Sequence, residues 1–153
     1  MRRTPVASRT TAVAAAMLLA LGAAAVPASA GEHSAYAGAD TCRKCHGKIW
    51  DAWQETKHAH AINRLQHADR QKECIACHVT GSPEMIAAEK GSPSHPNVQC
   101  EACHGPGGAH AVRPQVTEGL VRSPQSESCQ RCHNARSPHY KGFVFAAMKL
   151  FVH

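Results

Sequence analysis

All eight cysteines of this 153-residue chain lie in four copies of one five-residue pattern, C-x-x-C-H. The copies are Cys42–His46, Cys74–His78, Cys100–His104 and Cys129–His133. Their starts are separated by 32, 26 and 29 residues, which leaves room for one helix and a loop between successive copies. The fold must therefore bring four thiol pairs, each followed by an imidazole, into a small volume.

This pattern is the attachment signature of c-type heme. Two thiols three positions apart on a helical turn reach the two vinyl groups of one porphyrin edge, and the adjacent His binds the iron as proximal ligand. Disulfides and zinc ribbons also use cysteine pairs, but neither requires a His after every second Cys. A thioredoxin-like redox pair occurs once, near a βαβ pattern that this sequence lacks. We therefore predict four covalently attached heme c groups.

The predicted site residues follow directly from the motifs. The covalent attachment residues are Cys42, Cys45, Cys74, Cys77, Cys100, Cys103, Cys129 and Cys132, and the proximal iron ligands are His46, His78, His104 and His133. No catalytic side chain is needed for electron transfer, and we assign none.

The composition after residue 30 supports a cofactor-filled interior. Leu, Ile, Val and Phe number 17 in residues 31–153, about 14%, below the roughly 20% with which a chain usually builds an apolar core. We expect the porphyrins to replace that core. The predicted fold class is mainly α, with short helices and loops wrapped around four covalently bound, closely stacked c-type hemes.

Residues 1–30 have the features of a cleaved signal peptide. Arg2, Arg3 and Arg9 form a positive n-region, residues 12–26 are apolar, and Ala28-Ser29-Ala30 is a cleavage site. We predict a tetraheme cytochrome c domain over residues 31–153, periplasmic or extracellular, with no integral membrane span. Removal of three Arg lowers the net charge from +6 to +3, so a nucleic-acid partner has no support.

The histidines outnumber the methionines as candidate axial ligands. Beyond the four proximal residues, eight of the 12 His remain. They are His33, His58, His60, His67, His95, His110, His139 and His153. Residues 31–153 contain only Met85 and Met148, and we interpret Met148 as a packing residue. The abundance of imidazole predicts bis-His ligation for most of the irons, which lowers their reduction potentials relative to His/Met ligation.

Helix start signals divide the first half of the chain. Asp40-Thr41 predicts an N-cap for a helix that begins at Cys42 and continues to about Leu65, with a turn near Glu55 that can fold His58 against a neighbouring heme. Ser82, followed by Pro83, predicts the start of a short helix that stops at Gly91.

Chain breaks and an apolar stretch organise the second half. The Gly-Pro-Gly-Gly sequence 105–108 predicts a break that swings His110 away from the heme of its own segment. Ser123-Pro124 predicts the start of the helix of the fourth motif, and the apolar residues of 143–151 predict a last helix on a porphyrin face.

These segments resemble the tetraheme cytochrome c-554 family, also called the c-554 and c-prime type. The resemblance covers residues 36–153. It rests on Tyr36-Ala37-Gly38 with Trp53-x-x-Thr56-x-His58-x-x-Ala61, on Val79-Thr80-Gly81 after the second motif, on Val98-x-Cys100-Glu101-x-Cys103-His104-Gly105-Pro106-Gly107, and on Ser137-Pro138 with His153. It implies a mostly helical electron carrier with closely stacked heme pairs.

The resemblance also implies distal iron ligands. The matching positions are His58, His110 and His153, and in the family the heme of the second motif can lack a distal ligand. This sequence departs from the family there, because His95 precedes the third motif and is placed to close that iron. His60 and His139 are further alternatives.

Three functions follow from these expectations. The first is electron transfer by hopping between closely spaced hemes, with redox proteins as donors and acceptors. The second is a small reductase of nitric oxide that uses a five-coordinate heme at the second motif. The third, suggested by the short chain and the terminal His153, is self-association into an extracellular heme filament.

Overall fold

The computed structural model describes residues 35–71 and 73–153. Within these ranges the chain forms short helices joined by turns and loops, and the one isolated β-bridge pairs Val79 with Pro96. The predicted mainly α fold is thus confirmed at the level of secondary structure. The predicted signal peptide lies outside the described residues.

The first helix has 16 residues, and the other helices are short compared with those of most globular domains. The α-helices are α1 Ala39–Gln54, α2 Pro83–Ala88, α3 Cys100–His104, α4 Gly108–Val112, α5 Ser126–Gln130 and α6 Phe145–Met148. The 3₁₀ helices are His58–Arg64, His67–Gln71, Glu73–Cys77 and Lys149–Phe151. No helix in the described part of the chain is both long enough and apolar enough to span a bilayer.

Helix α1 begins earlier than the sequence predicts. Its N-cap is Gly38, and no side chain of its own segment caps it, so the predicted cap at Asp40-Thr41 is wrong. The side chain of Gln99 accepts a hydrogen bond from the Ala39 amide at 2.7 Å instead. The helix ends at Gln54, and the predicted turn near Glu55 follows it, because the Thr56 amide donates back to the carbonyl of Trp53 at 2.9 Å.

The other start signals are confirmed in part. The Ser82 hydroxyl accepts a hydrogen bond from the Met85 amide at 3.2 Å, and Pro83 is the first residue of α2, as predicted. This helix ends at Ala88, before the predicted stop at Gly91. Helix α5 begins at Ser126 rather than directly after Ser123-Pro124.

The protein core is small. One cluster contains Ala39, Trp53 and Ala59, and a second contains Ile62, Ile75 and Val79. Both clusters lie in the first half of the chain, whereas Val144, Leu150 and Phe151 near its end are exposed. The apolar residues of the last segment therefore do not pack into a protein core.

Residues 95–99 connect the two clusters by hydrogen bonds. The indole of Trp53 donates to the Val98 carbonyl at 2.9 Å, and the Val98 amide donates to the His58 carbonyl at 3.1 Å. The hydroxyl of Thr80, which is 1% exposed, donates to the Asn97 carbonyl at 2.9 Å. This segment therefore fixes α1, the 3₁₀ helix at 58–64 and the residues after the second motif relative to one another.

Candidate heme-binding site

The four motifs lie on different kinds of local structure. The first lies within α1, where His46 breaks the helical conformation with φ −114° and ψ 38°. The second occupies the 3₁₀ helix Glu73–Cys77, and the third coincides with α3. The fourth begins in α5 and continues into the turn that follows it. Each motif therefore presents its Cys pair on about one helical turn and its His at or near the end of that turn.

The eight thiols are free, and some of them meet across motifs. A hydrogen bond joins Cys42 of the first motif to Cys100 of the third; it raises the pKa of Cys42, as does burial, and it lowers the pKa of Cys100 to about 7. Burial, and then the charge and hydrogen bond of Cys77, raise the pKa of Cys132 to about 12. These contacts bring motif one next to motif three, and motif two next to motif four.

Three of the four motif imidazoles face another imidazole. The ring centroids of His46 and His110 are 6.3 Å apart with an interplanar angle of 22°. Those of His104 and His153 are 6.0 Å apart at 26°. Those of His58 and His133 are 6.0 Å apart at 67°. Each pair joins a motif His to a His from another part of the chain.

The pair distances fit two axial ligands of one metal ion. When two imidazoles bind one ion from opposite sides, each metal–nitrogen bond is about 2.0 Å long, and each nitrogen lies about 1.1 Å from the centre of its ring. The two ring centroids are then about 6.2 Å apart. No group of three or more His, Cys, Asp or Glu side chains in the described residues could hold a metal ion. Two protein ligands suit an iron whose equatorial ligands come from a porphyrin.

Backbone carbonyls fix the tautomer of three imidazoles, two of them from the pairs and the third that of His78. Because a carbonyl can only accept, the Nδ1–H of His78 donates to Ala61 and that of His104 donates to Val121, both at 2.7 Å. The Nδ1–H of His110 donates to Val116 at 3.1 Å. Nε2 of each ring is then the nitrogen with a free lone pair, which is the arrangement that outer hydrogen bonds impose on metal-binding His.

The imidazole of His58 is half-buried beside His133. Burial, and then the charge of His133, lower its pKa. The neutral ring is the form that binds a metal, so the environment of His58 favours the ligand state.

A cavity of about 1980 Å³ runs along the second, third and fourth motifs. Its wall includes His78, His104 and His133 with Cys of all three motifs, and also His58 and His153. A pocket for one small ligand is typically about 300–1,000 Å³. The cavity can therefore hold more than one porphyrin.

The polar groups around the cavity fit the carboxylates that a heme carries. Eight Lys or Arg residues but only two Glu line it. Nε of Arg70 is buried without a hydrogen-bond partner among the described atoms, and so is the indole Nε1 of Trp50 beside the first motif. Buried donors of this kind require an acceptor, and heme propionates would supply one. The residues present thus fit heme.

Several predicted alternatives have other contacts. His95 pairs with Tyr36, with ring centroids 6.2 Å apart, and no described imidazole faces His78. Nε2 of His60 is hydrogen bonded to the Gln54 carbonyl at 3.0 Å. His139 is exposed. The structure therefore brings His58, His110 and His153 to motif imidazoles, and does not bring His95, His60 or His139 to them.

Sequence reasoning did not assign a role to Glu101. This residue is 4% exposed, and its carboxylate accepts hydrogen bonds from the amides of Ala37, Gly38 and Gly107 at 2.7–2.8 Å. The sequence did contain a signal for this residue, because Glu101 is an acidic residue between the two Cys of its motif. The other motifs have Arg43, Ile75 or Gln130 at that position.

Comparisons with known proteins agree with this geometry. Residues 41–105, which contain the first three motifs, match the family described as cytochrome c554 and c-prime. The predicted resemblance to this family is thereby confirmed for these residues. The match supports a c-type cytochrome with covalently attached heme. No solved structure gives a significant match.

One relative of the chain is cytochrome c-554 of Nitrosomonas europaea. It is 27% identical over 144 residues, and the match covers 70% of this chain and 61% of the relative. The chain therefore spans less than two thirds of the length of this cytochrome c-554, and the fourth motif lies beyond the segment that the family description covers.

Proposed function

We propose that this chain is an exported tetraheme c-type cytochrome that transfers electrons by hopping between closely spaced, mostly bis-His hemes. The observation that carries the proposal is the set of three imidazole pairs with ring centroids 6.0–6.3 Å apart. Each pair contains the His of one C-x-x-C-H motif. A side-chain arrangement for packing alone would not reproduce the spacing of two axial ligands three times.

These pairs support a proposal for the axial ligands of three irons. His110 would complete the heme of the first motif, His153 that of the third and His58 that of the fourth. The proximal ligands His46, His104 and His133 would then each have a distal partner. The eight motif cysteines attach the porphyrins, which leaves one heme per motif.

The chain's own residues then have three tasks. When bound, the hemes supply one-electron chemistry at iron. The carbonyls of Ala61, Val121 and Val116 hold imidazoles in the tautomer that leaves Nε2 free. The apolar side chains of the last segment, among them Phe143 and Phe151, line the cavity and would pack against the porphyrins. The excess of Lys and Arg around the cavity would stabilise the heme propionates.

Redox proteins are the proposed partners, as donors and acceptors of electrons. Export to the periplasm or beyond is supported by the sequence of residues 1–30. Assembly into an extracellular filament stays a prediction from the sequence, and sedimentation of the purified holoprotein over a concentration series tests it.

The test of the tetraheme proposal combines a heme count with low-temperature EPR of the ferric holoprotein. We expect four hemes per chain by pyridine hemochrome assay and three low-spin irons. The two near-parallel pairs and the one crossed pair predict two kinds of low-spin signal, because the angle between the imidazole planes changes the anisotropy of the iron. Fewer than four hemes, or irons without bis-imidazole signatures, would reject the proposal.

A second candidate function has one observation in its favour. The Nδ1–H of His78 donates to the Ala61 carbonyl, and none of the described imidazoles faces the ring. An iron with a vacant axial position at the second motif would bind a small diatomic molecule such as nitric oxide, the first step of its reduction. Titration of the ferrous protein with carbon monoxide measures this: one molecule bound per chain supports an open iron, and none bound leaves only the carrier.

A further inference from the structure

The carboxylate of Glu101 connects two helices that lie far apart in the sequence. Its Oε2 accepts a hydrogen bond from the Gly38 amide at 2.8 Å, and its Oε1 accepts one from the Gly107 amide at 2.7 Å. Gly38 is the N-cap of α1, and Gly107 is the N-cap of α4. A third bond from the Ala37 amide, at 2.8 Å, also reaches Oε1.

These two helices supply the two imidazoles of one pair. Helix α1 carries His46 and α4 carries His110, and their rings are near-parallel, with centroids 6.3 Å apart. Glu101 itself lies on α3, within the third motif. One side chain of the third motif is thus hydrogen bonded to the N-cap of each helix that carries an imidazole of this pair.

We infer that Glu101 is a positioning residue that holds His46 and His110 at the separation required to bind one iron. The inference rests on the proposed function, because it concerns the axial pair of the first heme. It goes beyond that function in assigning the geometry of this pair to a residue whose hydrogen bonds go to backbone amides and not to the imidazoles. Glu101 also links the ligation of the first heme to the segment that carries the third.

The chemistry of the carboxylate explains why Glu suits this position. A buried carboxylate is costly unless its lone pairs are used, and three backbone N–H donors use them here. The Gly107 position is adapted to it as well, because a Cβ on Gly107 would lie only 3.3 Å from Oε1. The other motifs have no carboxylate at this position, where the equivalent residues are Arg43, Ile75 and Gln130.

The substitution Glu101→Gln tests the inference with little change of volume. A Gln presents one acceptor oxygen and one NH₂ donor, so either the Gly38 amide or the Gly107 amide faces a donor and loses its bond. We expect the ferric holoprotein to retain four hemes, to lose one of the two near-parallel low-spin signals, and to gain high-spin iron equal to about one heme. Added imidazole should restore that low-spin signal.

A reference variant identifies the heme affected. His110→Gly removes the distal ligand of the same pair and should give the same high-spin signal. The double variant should show no more high-spin iron than either single variant, because both changes open one site. The control Glu118→Gln removes an equal charge at an exposed position and should leave the spectrum unchanged.

Two results would overturn the inference. One is a Glu101→Gln protein that unfolds at a lower temperature but retains every wild-type low-spin signal, which would mean a role in stability only. The other is high-spin iron that adds to that of His110→Gly, which would place the effect at another heme. If Glu101→Gln yields no holoprotein, Gly107→Ala is the alternative variant, because the added Cβ would crowd Oε1 of Glu101. An unchanged spectrum for Gly107→Ala would also reject the inference.

The wild-type protein separates this test from that of the tetraheme carrier. A wild-type heme count below four, or a spectrum without low-spin pairs, contradicts the proposed function before any variant is made. If the wild-type spectrum is as proposed, the variants decide only the role of Glu101.

Discussion

Single backbone groups set the geometry around the motif imidazoles. The carbonyl of Val121 accepts from Nδ1 of His104, and the Val121 amide donates to the His104 carbonyl at 2.8 Å. The residue between α3 and the following loop, Gly105, allows this double contact because it has φ +86°. A Cβ at Gly105 would also collide with the carbonyl oxygen of Gly119. The position of the third-motif His therefore depends on the absence of one side chain.

Gly105→Ala should destabilise the holoprotein strongly. Positive φ costs an L-residue about 1–2 kcal/mol, and the collision with Gly119 adds about 1–3 kcal/mol. The free energy of unfolding measured with urea should fall by the sum. Gly142→Ala is the matched control, because Gly142 has φ +90° but no atom within 4 Å of the added Cβ. Equal losses for the two variants would mean that the Gly119 contact costs nothing.

At the scale of elements, helix ends rely on neighbours in some places and on their own sequence in others. Helix α1 has no cap of its own, and Gln99 with Glu101 satisfies its first amides from another segment. Helix α2 is self-sufficient, because Ser82 caps it. Hydrogen bonds from the backbone and then from Ser82 lower the pKa of Glu84 in its first turn. Short helices of this kind persist only with such contacts.

Ser82→Ala should remove the local cap of α2. The Met85 amide loses its acceptor, and the expected loss in the free energy of unfolding is about 1 kcal/mol. The pKa of Glu84, followed by NMR titration, should rise toward its ordinary value because one of the two groups that lower it is gone. Ser92→Ala, at an exposed serine, should change stability by less than about 0.5 kcal/mol. An unchanged Glu84 titration in Ser82→Ala would contradict this account.

At the scale of the whole molecule, the described residues contain too little protein core to be stable alone. Their buried apolar side chains are Ala39, Trp53, Ala59, Ala61, Ile62, Ile75, Val79 and Met85. Each imidazole pair joins segments that are far apart in the sequence, such as His58 with His133. A heme that is attached at one motif and bound by a His of a distant segment would close the long stretch of chain between them. Cofactor binding and folding are therefore coupled.

The chain without heme should therefore be largely unfolded. We expect the heme-free chain, produced under conditions that prevent heme attachment, to show weak far-UV circular dichroism and no cooperative thermal transition. The holoprotein in the same buffer is the reference and should be helical, with a sharp transition. A cooperative transition in the heme-free chain would show that the two apolar clusters suffice for folding.

Much of the local chemistry was predictable, but the long-range pairing was not. The Ser82 cap and the turn near Glu55 follow from neighbouring residues, and the structure confirms both. The start of α1 was predicted wrongly because its capping groups come from Gln99 and Glu101, about 60 residues away. A local signal cannot report an acceptor that tertiary folding supplies.

Three properties follow from the amino-acid sequence alone: the number and spacing of the C-x-x-C-H motifs, the scarcity of aliphatic residues, and the match of residues 41–105 to the cytochrome c-554 family. These depend on covalent order and composition alone. Only the tertiary structure decided which imidazoles face each other, that His78 faces no described imidazole, and that Glu101 joins α1 to α4. The physical reason is that an axial pair requires two rings about 6 Å apart, and such a separation depends on how distant segments pack.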